Sequence, residues 1–164
     1  MKFFIPIIRK FTRNQSGAAL VEFAIILPML LIIFAVIIEG SRLMISYQSA
    51  ISGVRDATRY LSRVVSADIC TTGASISGYT TQLQSIVGQS ATGNSVFPSY
   101  VTINSVTPSY NCVAGTYRIS PAPIAQVTAN VSINFPFAGL FSLVGLTQGT
   151  ITTNVTDSSR IYGI

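Results

Sequence analysis

Residues 18–38, AALVEFAIILPMLLIIFAVII, decide the fold, because the whole stretch carries a single charge, Glu22, and a single proline, Pro28. A helix of that length spans about 30 Å at about 1.5 Å per residue, the hydrocarbon thickness of a bilayer. Upstream lie Lys2, Arg9, Lys10 and Arg13, with no acid among them. Basic residues stay on the cytoplasmic side of a spanning helix, so this asymmetry predicts a cytoplasmic N-terminus and export of everything after Ile38. A secretory signal peptide is the competing reading. It fits less well: the run is longer than an ordinary h-region, and Phe34, Ile37 and Ile38 stand where a cleavage site needs small residues. The expectation is a retained anchor. Pro28 removes one backbone donor within it, which predicts a kink or a locally melted turn.

The rest of the composition bounds the function. Of 164 residues, 49% are hydrophobic and 9% charged, with ten Lys and Arg against five Asp and Glu. The positive excess sits almost entirely before the anchor, so the part beyond it has no basic patch of the kind that binds nucleic acid. Histidine is absent, and the acids beyond the anchor are Glu39, Asp56, Asp68 and Asp157. That inventory rules out a Ser/His/Asp triad and a histidine-bearing metal site, and the expectation is a non-enzyme without metal or cofactor. Cys70 and Cys112 both follow the anchor. If that region is exported, a disulfide is the natural reading, while two buried thiols are the reading for a cytosolic head.

Helical patterning continues past Ile38. Leu43, Tyr47, Ala50, Val54, Ala57, Leu61 and Val64 recur at alternating spacings of four and three, one stripe of a helix that predicts continuation to about Ala67. The stripe suits either a seam with another helix or, beyond Val54, the underside of this chain's own head. Arg55, Arg59 and Arg63 form a second stripe that reads as a solvated face or a partner contact, and Asp56 is spaced to pair with Arg59.

After Cys70 the chain turns Ser/Thr/Gly-rich, and a short helix is expected over Thr80–Val87. Segments Ser99–Val106, Gly115–Ser120, Gln126–Phe135 and Gly149–Asp157 read as strands. The third is clearest, with Val127, Ala129, Val131, Ile133 and Phe135 alternating with polar residues. Three or four antiparallel strands packed on the helix would bury these faces. The apolar segment 136–146, PFAGLFSLVGL, is either an exposed interaction loop or a piece folded back over the sheet.

Glu22 remains to be explained. A carboxylate in the outer turns of a spanning helix costs a few kcal/mol unless it is paired, protonated or near the interface. One reading leaves it at the cytoplasmic headgroups. The other starts from Ser16 and Gly17, which close the basic segment. A cut after Gly17 would create an amine at Ala18, four residues from Glu22. In a bundle of such helices the amine of one subunit can pair with the carboxylate of the next, so that assembly rather than lipid satisfies both charges.

Gly17 followed by AALVEF, with Glu22 and Phe23 as fifth and sixth residues of the cut chain, resembles a class III prepilin-peptidase signal. The wider segment, over roughly residues 13–63, resembles the TadE-like family of the tight-adherence (Tad) pilus system. The features that carry the likeness are G-x-x-x-x-E-F, the Leu27–Pro28 pair, Glu39 and Arg42 at the exit of the run, and Arg55–Tyr60. The resemblance implies an α+β, type IV pilin-like fold, with a long N-terminal helix carrying a small antiparallel sheet. It implies a leader over 1–17, a transmembrane segment over 18–38, an amphipathic extension over 39–67 and an exported head over 68–164. It further implies a minor pilin or pseudopilin of a bacterial Tad/Flp type IVc pilus, cut between Gly17 and Ala18 at the inner membrane. The partners implied are prepilin peptidase, other pilin and pseudopilin subunits, the inner membrane and the Tad assembly platform. The alternative function is an uncleaved, single-pass periplasmic binding or adhesion module.

Overall fold

A computed structural model of the chain describes residues 16–142, 145 and 149–163. The basic leader before Ser16 and residues 143, 144 and 146 of the apolar segment lie outside the described residues. Helix α1 (Ser16–Val64) is followed by the short α2 (Ile69–Thr72), a 3₁₀ turn (Ser77–Tyr79) and α3 (Thr80–Gly88). Strands β1 (Val101–Val113) and β2 (Ala122–Asn134) come next, then α4 (Ala138–Phe141) and β3 (Thr150–Arg160). The architecture is α+β and pilin-like: a long, apolar N-terminal helix leads into a small antiparallel sheet in the order β1-β2-β3.

The core forms where the second half of α1 meets the inner face of the sheet. Ala50, Val54, Ala57 and Leu61 of the expected stripe are buried against Val127, Ala129, Val131 and Ile133 of β2 and Val155 of β3. The stripe departs from the strict seven-residue repeat at its end. Val65 is buried and Val64 is 38% exposed, because an α-helix with 3.6 residues per turn drifts by about 20° per heptad. Tyr47, also placed in the stripe, is exposed, so this chain's own head covers neither Tyr47 nor Val64. Thr58 and Ser62 are buried between the apolar positions, and each hydroxyl returns a hydrogen bond to its own helix, at Val54 O and Arg59 O.

Two glycines permit close backbone contacts. At Gly53 a Cβ would lie 2.7 Å from the carbonyl oxygen of Val87, where α1 meets α3. At Gly163 a Cβ would run into the Val65 carbonyl. There the C-terminal residues are stitched beside the end of α1 by Tyr162 N–H to Ser62 O at 2.8 Å and Ala67 N–H to Gly163 O at 3.0 Å.

Outward-facing positions of the sheet are amides and hydroxyls that bond across strands. Asn104 donates to Asn130 at 2.6 Å, Asn130 to Asn154 at 2.7 Å, and Thr128 meets Thr156 at 2.9 Å. This is the polar half of the alternation expected of β2, extended over its neighbours. Cys70 and Cys112 form a disulfide, with Cα atoms 5.8 Å apart, that links the segment after α1 to β1.

The expectation of a strand over Gly115–Ser120 is incorrect. That segment connects β1 to β2, which pair directly from Val113↔Ala122 to Val101↔Ile133. Its apolar residues, Tyr117 and Ile119, have no core to face and are exposed. The Ser120 hydroxyl closes the connection onto Gly115 O at 2.8 Å. Pro121 and Pro123, read as separators, lie just before and inside β2. The other three strands stand where expected but are longer, α3 covers the expected short helix, and α1 ends at Val64 rather than Ala67.

Candidate functional site

Sequence reasoning concentrates the functional residues in the first turns of α1. Gly17, Ala18, Glu22 and Phe23 all lie on this helix and are exposed. Among the described residues no cation lies within 4.0 Å of Glu22. Helix α1 runs without interruption through Pro28, with no melted turn there. From Leu20 to Ile37 the side chains point outward almost throughout, with Leu20 at 72%, Ile25 at 73% and Met29 at 67% exposure. Among the described residues α1 is the one helix long and apolar enough to cross a membrane. The sides of its apolar first half, unlike those of a core helix, are almost bare of other protein among the described residues.

The bare surface ends at a built junction. Ala35 is buried and Ile32 and Ile38 are half-buried. One turn beyond Ala35, Glu39 is only 4% exposed, and its Oε1 accepts the backbone N–H of Phe137 at 2.6 Å. This carboxylate holds the segment leading into α4 against α1. Its other oxygen, Oε2, is buried without a partner among the described residues. Arg42 lies three residues on. Its guanidinium sits 5.3 Å from the Phe137 ring centroid and 5.5 Å from that of Tyr100, within the range of cation–π attraction. Glu39 and Arg42 do not bond to each other; among the described residues the one ion pair is Arg59 with Asp56, at 3.8 Å on the surface.

Sequence reasoning noted Glu39 and Arg42 only as a pair at the exit of the apolar run. It missed that each is committed to the head. The available signal was a second acid directly after an apolar run, with an aromatic Pro-Phe segment elsewhere in the chain. A carboxylate bonded to a backbone N–H leaves no complementary side chain to find.

Residues 17–59 match the TadE-like protein family. No curated protein and no solved structure matches the chain. The TadE-like segment begins at Gly17 and takes in Glu22, Pro28, Glu39, Arg42 and the Asp56–Arg59 pair. It stops before the disulfide and the sheet, so the head is described by its structure alone. A long helix with an exposed apolar first half and a sheet on its second half is a pilin-like arrangement.

Proposed function

We propose that this chain is a minor pilin or pseudopilin that takes part in the initiation, priming or tip of a Tad/Flp type IVc pilus after prepilin peptidase cuts between Gly17 and Ala18. The observation that carries the reading is the start of the TadE-like match at Gly17, the residue before the cut, on a helix whose first half is apolar and exposed. Gly17 lacks a Cβ, so its backbone can approach a protease site closely, and among the described residues nothing beyond its own stretch of helix lies within 4 Å of where a Cβ would stand.

Before the cut, the leader and the anchor hold the chain in the bacterial inner membrane, leader inside and head in the periplasm. The cut removes the four basic residues that would obstruct helix packing and creates an ammonium at Ala18. Within one helix, Ala18 and Glu22 are one turn apart on one face. Between neighbouring subunits the same two groups pair in a low-dielectric bundle. Losing either partner leaves a buried charge, a cost of about 3–5 kcal/mol, which makes the pair a register device. The exposed Leu20, Ile25 and Met29 then pack against other pilin helices, and a bend at Pro28 adapts the helix to them. The role is structural, with the peptidase, the assembly platform and sibling subunits as partners.

Glu22→Gln tests the assembly step. Processing is expected to persist while incorporation into sheared surface fibres is lost. Normal incorporation of the variant would contradict the charge pairing.

A further inference from the structure

We propose that the junction of Arg42, Tyr100, Phe137, Leu140 and Phe141 is a membrane-surface contact that rests the head on the phospholipid headgroups of the outer leaflet of the inner membrane. The inference rests on the reading of residues 18–38 as the spanning segment, and it assigns a surface of the head that this reading leaves open.

Depth along α1 carries the argument. At about 1.5 Å per residue, Ala35 lies about 5 Å inside the end of the apolar run at Ile38, and Arg42 about 6 Å beyond it. The headgroup layer on each side of a bilayer is about 5–8 Å thick. Arg42 therefore stands at the level of the lipid phosphates. The segment bonded to Glu39 is held at the boundary between acyl chains and headgroups. This segment lies against α1 near that depth: Phe137 bonds to Glu39, one turn beyond the buried Ala35, and α4 packs on α1. Phe137, Leu140 and Phe141 are half-buried, leaving apolar surface at that depth.

Charge complementarity selects the occupant. Arg42 has no carboxylate within 4.0 Å among the described residues. Its guanidinium is held by two rings, and its N–H donors suit a phosphodiester. Tyr100 and Phe137 at this height match the aromatic belt of membrane proteins, where amphipathic and apolar rings meet headgroups. A water-facing loop would give the same rings no such complement.

The test uses the full chain in nanodiscs of mixed phosphatidylethanolamine and phosphatidylglycerol. Cys70 and Cys112 are joined and no other cysteine is free, so one introduced cysteine takes a nitroxide label selectively. Gly139→Cys is suited to this, because Gly139 is exposed and, among the described residues, nothing beyond its own short helix lies within 4 Å of its Cβ position. Met29→Cys reports the span and Ser158→Cys the opposite end of the sheet. The Gly139 label is expected to be reached by membrane-dissolved oxygen and shielded from a water-soluble nickel chelate, between the two reference sites. Arg42→Gln is expected to raise its nickel accessibility severalfold. A Gly139 label as open to nickel as Ser158 would overturn the inference while Met29 stays shielded. So would a label shielded from both reagents, which would mean protein rather than lipid covers it. A nickel-accessible Met29 label would remove the spanning segment and this inference together. No response to Arg42→Gln would overturn the phosphate contact.

Discussion

Glu39 Oε1 and the backbone nitrogen of Phe137 are 2.6 Å apart across 98 residues of sequence. This bond ties the head to α1 directly after the apolar run. Removing the acceptor with Glu39→Ala leaves a partly buried N–H unsatisfied, at a cost of about 1–3 kcal/mol. Glu39→Gln keeps an acceptor in the same place and is expected to stay within about 1 kcal/mol of the parent. Denaturant unfolding in detergent, with amide exchange at Phe137, measures both. Equal losses for the two variants would contradict the bond's role.

Gly40 and Gly53 separate helix propensity from packing. Either glycine weakens a helix by about 1 kcal/mol relative to alanine. Gly40→Ala meets nothing within 4 Å among the described residues outside its own stretch of helix and is expected to stabilise by about that amount. Gly53→Ala places a methyl 2.7 Å from Val87 O, and overpacking of about 1–3 kcal/mol outweighs the propensity gain. Unfolding midpoints of the two variants should shift in opposite directions.

At the far end of the head, Gly163→Ala drives a methyl into the Val65 carbonyl. The segment 161–163 is expected to lift from α1 and break the Tyr162–Ser62 and Ala67–Gly163 bonds. Hydrogen exchange would show lost protection at Tyr162 and Ala67, with amides of β2 unaffected.

Reducing the Cys70–Cys112 bond releases a crosslink with a sequence separation of 42 residues. On the chain-entropy model it stabilises by about 4 kcal/mol. The thermal midpoint of the head is expected to fall markedly under reducing conditions and to recover on reoxidation.

The fold was legible wherever periodicity had a surface to answer to. The apolar run and the Ala50–Leu61 stripe specified α1, and the alternation Val127–Ile133 specified the central strand because one face meets that stripe. Tyr117 and Ile119 mimicked the same alternation without any core opposite them, which is why the connection read as a strand. The shift from Val64 to Val65 reflects the helix's own pitch, which a strict heptad conceals. At the candidate site, the TadE-like start was legible from Gly17, Glu22 and Phe23. The Glu39–Phe137 bond was not, since it joins a side chain to a distant backbone group that any residue type would provide.

The N-terminal residue and intact mass of the protein, taken from its native membrane or from sheared fibres, test the central claim most directly. The account predicts a chain beginning at Ala18, with Glu22 as the fifth residue of the mature protein. A chain still beginning at Met1 in the presence of active prepilin peptidase would contradict it.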